Sequence, residues 1–387
     1  MKISVMRERH PSGGRVALTP ANVSALKKLG CQIFVETGAG DAASFSNDNY
    51  QEAGAEILES RAQLLEKGEI ILCVDASREE ALADLKACHI CIGLMDPLSN
   101  CDRFSNLAKR GITTISLELV PRISRAQSMD ALSSIATLAG YKAVLMAASH
   151  APRIFPMMMT AAGTLSPSRV FIMGAGVAGL QAAATAKRLG AVVEAYDIRP
   201  AAREQILSVG AKPVELDLDT SSAEGQGGYA SKQDEDFLKR QREQMSTVLA
   251  QQDVVITTAA IPGAKAPILI TEEMVKGMKP GAVIVDLAAE RGGNCELSKA
   301  GETVTAYGVT ILGPIDIAAS LPNHASQMFG RNVESLLEHL LDEEGRLTLD
   351  FEDEILDQTV ITHEGEVRAT RIRERLTPLI QPQEAIA

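Results

Sequence analysis

Tryptophan is absent from the 387 residues, and aromatic side chains make up only 3%. Single-stranded nucleic acids are held on stacked aromatic rings, so that platform is missing. Basic residues are outnumbered, 38 Lys and Arg against 50 Asp and Glu, for a formal charge of −12. Nucleic-acid binding rests on neutralising phosphates, which an acidic surface opposes. A membrane-spanning helix needs ~20 consecutive apolar residues. The longest uncharged run, Val170–Ala186, has 17 residues and contains three glycines. The start, Met1-Lys-Ile-Ser-Val5, reads as a strand and lacks the apolar stretch of a signal peptide. A soluble protein with no nucleic-acid partner and no transmembrane segment is expected.

Six cysteines in a chain of this length suggest a reducing compartment. Cys88-His-Ile-Cys91, with Cys101 ten residues on, has the look of half a metal site. A closed zinc site needs a second ligand pair, and none is visible. A buried strand over His89–Leu94 is the favoured reading, with no metal. The six histidines fall in no catalytic pattern, and no HExxH, GxSxG or Walker A segment occurs.

Hydrophobic residues make up 45% of the chain, ample for buried cores. The length favours two domains. Short apolar runs at Lys2–Met6, Cys31–Glu36, Glu69–Val74, His89–Leu94 and Ile112–Leu117 read as strands. Helical spacing lies between them at Ala21–Leu29, Arg78–Lys86 and Arg103–Lys109. A second series of strands is expected at Val170–Met173, Val192–Tyr196, Pro213–Leu216, Val254–Thr257, Ala282–Asp286 and Thr310–Leu312. Alternation of this kind predicts an α/β fold with mostly parallel sheets. A helix over Met129–Ala148 links the two series, and one over Ala325–Leu341 returns the chain to the first. The expected domains are 1–130 with 320–387, and 131–319. The Gly- and Ser-rich stretch from Asp217 to Asp236 reads as a mobile loop near a ligand.

The central signal is Val170-Phe-Ile-Met-Gly174-Ala-Gly176-Val177-Ala178-Gly179, a strand running into Gly-x-Gly-x-x-Gly and then an Ala-rich helix. Gly174 supplies a tight turn, Gly176 lets a pyrophosphate approach the backbone, and Gly179 lets helix and strand pack closely. The helix N-terminus offers N–H groups and a positive dipole end to phosphates. The next strand ends at Asp197, 18 residues beyond Gly179. An acid there accepts hydrogen bonds from ribose hydroxyls and repels a 2′-phosphate. Arg199, two residues on, works against that repulsion; the acid comes first, so NAD(H) is the expected nucleotide.

A second cluster, Pro121-Arg122-Ile-Ser-Arg-Ala-Gln127-Ser-Met-Asp130-Ala-Leu-Ser133, combines a cation, an amide, an anion and a hydroxyl. Asp130 and Ser133 are three apart and would share a helix face; capping of the helix start by Ser128 or Asp130 is the plainer alternative.

Together with Arg15-Val-Ala-Leu-Thr-Pro20, Met158-Met-Thr-Ala-Ala-Gly163, Gly227-Gly-Tyr-Ala230, Thr257-Thr-Ala-Ala-Ile-Pro-Gly263 and Asp286-Leu-Ala…Gly292-Gly-Asn-Cys295, this cluster resembles the NAD(H)-binding component of proton-translocating NAD(P) transhydrogenases, relatives of alanine dehydrogenase. The resemblance spans nearly the whole chain. It implies two Rossmann-like domains with a cleft between them and NAD(H) in that cleft. It also implies hydride transfer to NADP(H) on a partner subunit, coupled to proton translocation. A small membrane subunit, a homodimer, and a cytoplasmic location at the inner membrane through those partners are implied as well. Carried over by match, Arg122, Gln127, Asp130 and Ser133 surround the nicotinamide and its ribose, with Gln127 reaching toward the second nucleotide. Val177, Ala178, Ile198, Gly228, Tyr229, Gln241 and Ala260 match nucleotide-contact positions, and Tyr229 would lie on the closing loop. The lysine and histidine that alanine dehydrogenases use are missing from Ile70-Ile-Leu-Cys-Val-Asp75 and Cys91-Ile-Gly-Leu-Met-Asp96. Ala260 stands where a larger apolar residue is common. Alanine dehydrogenation and non-catalytic NAD sensing are the rival functions.

Overall fold

The computed structural model describes residues 1–9, 14–77, 82–218, 235–261, 263–342 and 346–380. The chain divides into two compact units, Met1–Ile135 with Ala319–Ala387, and Ala136–Ala318. In chain order the strands are β1 (Lys2–Val5), β2 (Gln32–Glu36), β3 (Glu56–Leu58), β4 (Ile70–Asp75), β5 (Ile90–Leu94) and β6 (Thr113–Ser116). There follow β7 (Met158–Thr160), β8 (Gly163–Leu165), β9 (Arg169–Met173), β10 (Val192–Tyr196), β11 (Lys212–Pro213) and β12 (Val254–Thr257). The last are β13 (Val283–Asp286), β14 (Thr303–Ala306), β15 (Val309–Leu312), β16 (Val360–His363) and β17 (Glu366–Val367).

The first unit holds an eight-stranded sheet in the order β17-β16-β6-β5-β4-β1-β2-β3. β16 and β17 join antiparallel at one edge, and the other pairings are parallel. Side chains alternate across a strand, so β4 sends Ile70, Leu72 and Val74 into one core and Ile71 and Cys73 into the other. Burial on both faces is why these strands are continuous apolar runs rather than alternating ones.

The second unit holds a seven-stranded sheet, β11-β10-β9-β12-β13-β15-β14, parallel except for β14. Its first six positions follow the doubly wound dinucleotide-binding order, with the reversal between β9 and β12. Val170 and Ile172 face one core, Phe171 and Met173 the other. The fold class is therefore α/β with mostly parallel sheets, as expected.

Several elements depart from the sequence expectation. The strand expected at Pro213–Leu216 is only Lys212–Pro213, an edge strand that proline, lacking an N–H, helps keep short. Of the helix expected over Arg78–Lys86, residues 78–81 lie outside the described residues, Leu82 is helical and the chain turns by Ala83. The linking helix is Ala131–His150, and the late one Pro322–Leu340. β3, β14 and the β7–β8 hairpin were not expected. Neither were β16, β17 and the helices Glu354–Thr359 and Thr370–Ile380, in a segment that reads as a charged tail.

Among the described residues one helix, Ala131–His150, is long and apolar enough by length and composition to cross a membrane. A count of uncharged runs passes over this stretch because Lys142 interrupts it. Core helices of soluble proteins meet the same criterion, and Ala143, Val144 and Ala147 are buried in the core of the second unit.

Candidate functional site

In the second unit, β9 ends in the turn Gly174–Gly176, which leads into the helix Val177–Arg188. Gly174 has φ +101°, a conformation that side chains rarely adopt, and a Cβ there would lie 2.6 Å from Thr258 Oγ1. A Cβ on Gly179 would fall 1.8 Å from the carbonyl oxygen of Gly174, so the helix can begin this close to the strand only with glycine. Gly176 differs: among the described residues nothing lies within 4 Å of its Cβ position, and no side chain caps the helix it begins. Open backbone, uncapped N–H groups and the helix dipole make a fitting seat for a pyrophosphate. Val177 is exposed at its rim, and Ala178 is half-buried.

Asp197, at the end of β10, is tied to this turn. Its Oδ2 accepts the Ala175 N–H at 2.7 Å. Arg199 folds over the same carboxylate: its backbone N–H and Nε donate to Oδ1, each at 2.9 Å, and Nη2 donates to Oδ2 at 2.7 Å. Arg199 is thus engaged by the acid beside it, and Ile198 between them is half-buried.

Gln241 lies inside the unit, 4% exposed, with Nε2 donating to the Tyr196 hydroxyl at 3.0 Å. It sits behind the end of β10 rather than on the surface. Ala260 is exposed, just beyond β12. Gly228 and Tyr229, with most of the expected loop Asp217–Asp236, lie outside the described residues.

In the first unit the 121–133 cluster forms a 3-10 turn, Ser124–Met129, followed directly by the helix Ala131–His150. Ala126 and Met129 are buried and anchor the turn, while Arg122 and Gln127 are exposed. On the late helix, Asn332 Nδ2 donates to the Ser128 carbonyl at 2.7 Å and fixes the turn from behind. Asp130 and Ser133 meet, but not as neighbours on a helix face. Asp130 precedes the helix and caps it: Oδ1 accepts the Ser133 N–H at 2.9 Å and Oδ2 accepts the Ser133 hydroxyl at 2.6 Å. Such a cap contributes about 0.5–2 kcal/mol.

Sequence reasoning missed how the first unit closes the carboxyl ends of β4 and β5. The Glu8 carboxylate accepts the N–H of Val74 at 2.6 Å and reaches that of Asp75 at 3.4 Å. Glu118 accepts from Met95 and Asp96, each at 2.8 Å. Arg103 donates to the carbonyls of Ala76, Ser77 and Met95. Burial pushes the Glu8 carboxyl up to about 7 against the lowering effect of its two backbone N–H donors. The only sequence signal was acid and arginine residues flanking apolar strands, a pattern too common to single out.

Cys73, on β4, is buried with its Sγ 3.9 Å from that of Cys91, and that contact together with burial raises its thiol. His89 accepts the Lys86 N–H at Nδ1 and donates from Nε2 to the Leu65 carbonyl at 2.8 Å, so neither ring nitrogen is left to ligate a metal. Burial lowers its pKa.

Strand order, glycine turn and terminal acid define the second unit as a Rossmann-like dinucleotide-binding fold. The chain belongs to the alanine dehydrogenase/PNT family: the N-terminal domain of that family matches residues 4–139 and the C-terminal domain residues 143–370. It is 45% identical to the first portion of the NAD(P) transhydrogenase subunit alpha of Rhodospirillum rubrum, over 95% of this chain and 97% of that one. It is 42% identical to NAD(P) transhydrogenase subunit alpha of Haemophilus influenzae, over 95% of this chain and 71% of the relative. The crystal structure of transhydrogenase from Sinorhizobium meliloti superimposes with a TM-score of 0.85 at 42% identity, covering 95% of this chain and all of that one. An L-alanine dehydrogenase structure shares the fold, with a TM-score of 0.81 at 22% identity, over 98% of this chain and 100% of that one.

Proposed function

We propose that this chain is the NAD(H)-carrying component of a proton-translocating NAD(P) transhydrogenase. It holds NADH while hydride passes to NADP held by a partner subunit, giving NAD and NADPH. The observation that carries this reading is the open, uncapped turn at Gly176 with Asp197 bonded to its Ala175 N–H. The nucleotide's pyrophosphate lies on the helix N-terminus, and Asp197 takes the adenosine ribose, which requires Arg199 to share or release the carboxylate. The reacting hydride is supplied by the nicotinamide.

Transfer between two nicotinamides removes no proton at the reacting carbon, so positioning groups suffice and no general base is required. Arg122, Gln127, Asp130 and Ser133 fit that task, being a cation, an amide, an anion and a hydroxyl on one anchored turn. Gln127, exposed and beside the buried Ala126, is the group that reaches toward the second nucleotide. Alanine dehydrogenation is disfavoured, because Ile70–Asp75 and Cys91–Asp96, the stretches where a lysine and a histidine would work, hold neither.

The partners in this reading are an NADP(H)-binding subunit and a small membrane subunit, which hold the chain at the cytoplasmic face of the inner membrane. A homodimer is supported by the β7–β8 hairpin, a separate two-stranded sheet with Met158, Met159 and Leu165 45%, 72% and 52% exposed. Apolar exposure on an unpaired strand edge is a common means of self-association.

The test is reconstitution. Alone, the purified chain binds NADH and transfers almost no hydride to NADP; with the NADP(H)-binding component it becomes active. Full transhydrogenation by the chain alone, or robust NAD reduction with alanine, overturns the reading.

A further inference from the structure

The Gly292-Gly-Asn-Cys295 segment has no role in the transfer just described, yet it reaches the nucleotide turn through a continuous set of hydrogen bonds. Gly292 and Gly293 both take positive φ, +93° and +77°, and a Cβ on Gly293 would meet Asp286 Oδ2 at 2.9 Å. The chain therefore curls tightly around Asp286 at the end of β13. Asp286 is fully buried, and its Oδ2 accepts the N–H groups of Asn294 at 2.8 Å and Cys295 at 3.0 Å. Its Oδ1 accepts the Thr257 hydroxyl and the Ala288 N–H, each at 3.0 Å.

This curl delivers Asn294, also fully buried, to the segment leaving β12. Its Oδ1 accepts the Ala259 N–H at 3.0 Å, and its Nδ2 donates at 2.9 Å to the carbonyls of both Ala259 and Pro267. The amide thus pairs with both backbone groups of Ala259 as a neighbouring strand would. One residue earlier, the Thr258 hydroxyl donates to the Gly174 carbonyl at 3.0 Å, on the first glycine of the phosphate turn. The route runs from Asp286 to Asn294, to the Thr258–Ala259 backbone, and to Gly174.

We propose that Asn294 is a positioning residue for the dinucleotide. Its carboxamide fixes the Thr258–Ala260 wall and, through Thr258, the carbonyl of Gly174, so that the turn keeps its shape before NADH arrives. This rests on the reading of the Gly174–Gly179 turn as the NADH seat. A buried amide with both N–H donors and its oxygen engaged holds one geometry, whereas a carboxylate there has no donors for the Ala259 and Pro267 carbonyls.

The experiment titrates NADH into the full chain by calorimetry, for Asn294→Asp, Thr258→Val, the double variant and Thr362→Val, with thermal unfolding of each. Thr362, buried in the other unit and bonded to the Ile112 carbonyl, controls for general destabilisation. Expected are an NADH Kd raised about ten-fold by Asn294→Asp and about five-fold by Thr258→Val, with the double variant well short of the product, because groups in one network couple. Thr362→Val keeps native affinity. A native Kd in folded Asn294→Asp, or effects that multiply in the double variant, overturns the proposal. Should Asn294→Asp not fold, Thr258→Val decides: native affinity there overturns it. Failure of the unaltered chain to bind NADH overturns the nucleotide seat itself, and is distinguished by being present before any substitution.

Discussion

The first unit closes the carboxyl ends of β4 and β5 with Glu8, Glu118 and Arg103, which occupy the N–H and carbonyl groups that leave the sheet there. The second unit, built on the same kind of parallel sheet, ends β9 in a turn where Asp197 and Thr258 hold Ala175 and Gly174, while among the described residues no side chain caps the helix that Gly176 begins and Gly176 faces open space. Open α/β sheets bind ligands beyond their carboxyl ends. Between these two sheets, the difference is whether those backbone groups already have partners. A sheet edge satisfied by its own side chains is a rigid support, and an edge left with free donors is a seat for an anion. In the first unit the exposed Arg122 and Gln127 lie elsewhere, on the turn Ser124–Met129 and just before it.

The largest effect that sharpens this contrast is kinetic. In the reconstituted enzyme, Gln127→Asn should slow hydride transfer about 100-fold while NADH affinity stays near native, because a misplacement of about 1 Å at a reacting centre costs that much. Single-turnover rates beside equilibrium titration separate the two quantities, and an unchanged rate removes Gln127 from the reaction. Asp197→Ala, in the second unit, should act on binding instead, with a loss of ~1.5–3 kcal/mol in NADH affinity if the ribose bonds are charge-assisted. It also takes from Arg199 its carboxylate partner, so the margin between NADH and NADPH should narrow. Equal NADH and NADPH affinities in the unaltered chain would defeat the NAD(H) assignment outright.

A smaller effect distinguishes the two glycines of the turn. Gly176→Ala meets no neighbour and should leave the melting temperature nearly unchanged while weakening NADH. Gly179→Ala drives a methyl into the Gly174 carbonyl and should destabilise the second unit by about 1–3 kcal/mol. Melting curves with and without NADH test both, and equal stability losses would show that the open space at Gly176 is not reserved for a ligand.

The remaining effect belongs to the first unit and is read against pH. The Glu8 carboxyl titrates near 4.5 when unfolded and is raised to about 7 when folded. Between those values the folded state keeps a proton that the unfolded state has lost, so unfolding releases it. The contribution of Glu8 is therefore most favourable at low pH and falls as pH rises from about 4.5 to about 7. Glu8→Gln should flatten that portion of the stability profile, measured by urea unfolding across the range; an unchanged slope assigns it to other groups.

Much of this was readable from local pattern. The glycine spacing, the acid closing the next strand and the apolar strands are set by rules acting over a few residues: positive φ, close backbone approach and burial on both faces. Short-range patterns misread Pro213–Leu216, where an edge strand ends early, and the chain after residue 345, whose charged residues cover buried Ile355, Ile361 and Ile372. The β16–β17 edge they form pairs with β6, about 250 residues earlier in the chain, and no local signal encodes such a partner.

By itself, then, the sequence determined the two parallel-sheet series, the Gly-x-Gly-x-x-Gly turn with Asp197 beyond it, and the polar content of the 121–133 cluster, because each depends on residues adjacent along the chain. Tertiary structure alone decided that Gln241 is buried behind Tyr196 and that Asn294 clasps Ala259. These are choices of hydrogen-bond partner. A buried polar group must find one, and which it finds depends on the strands and turns that packing brings beside it.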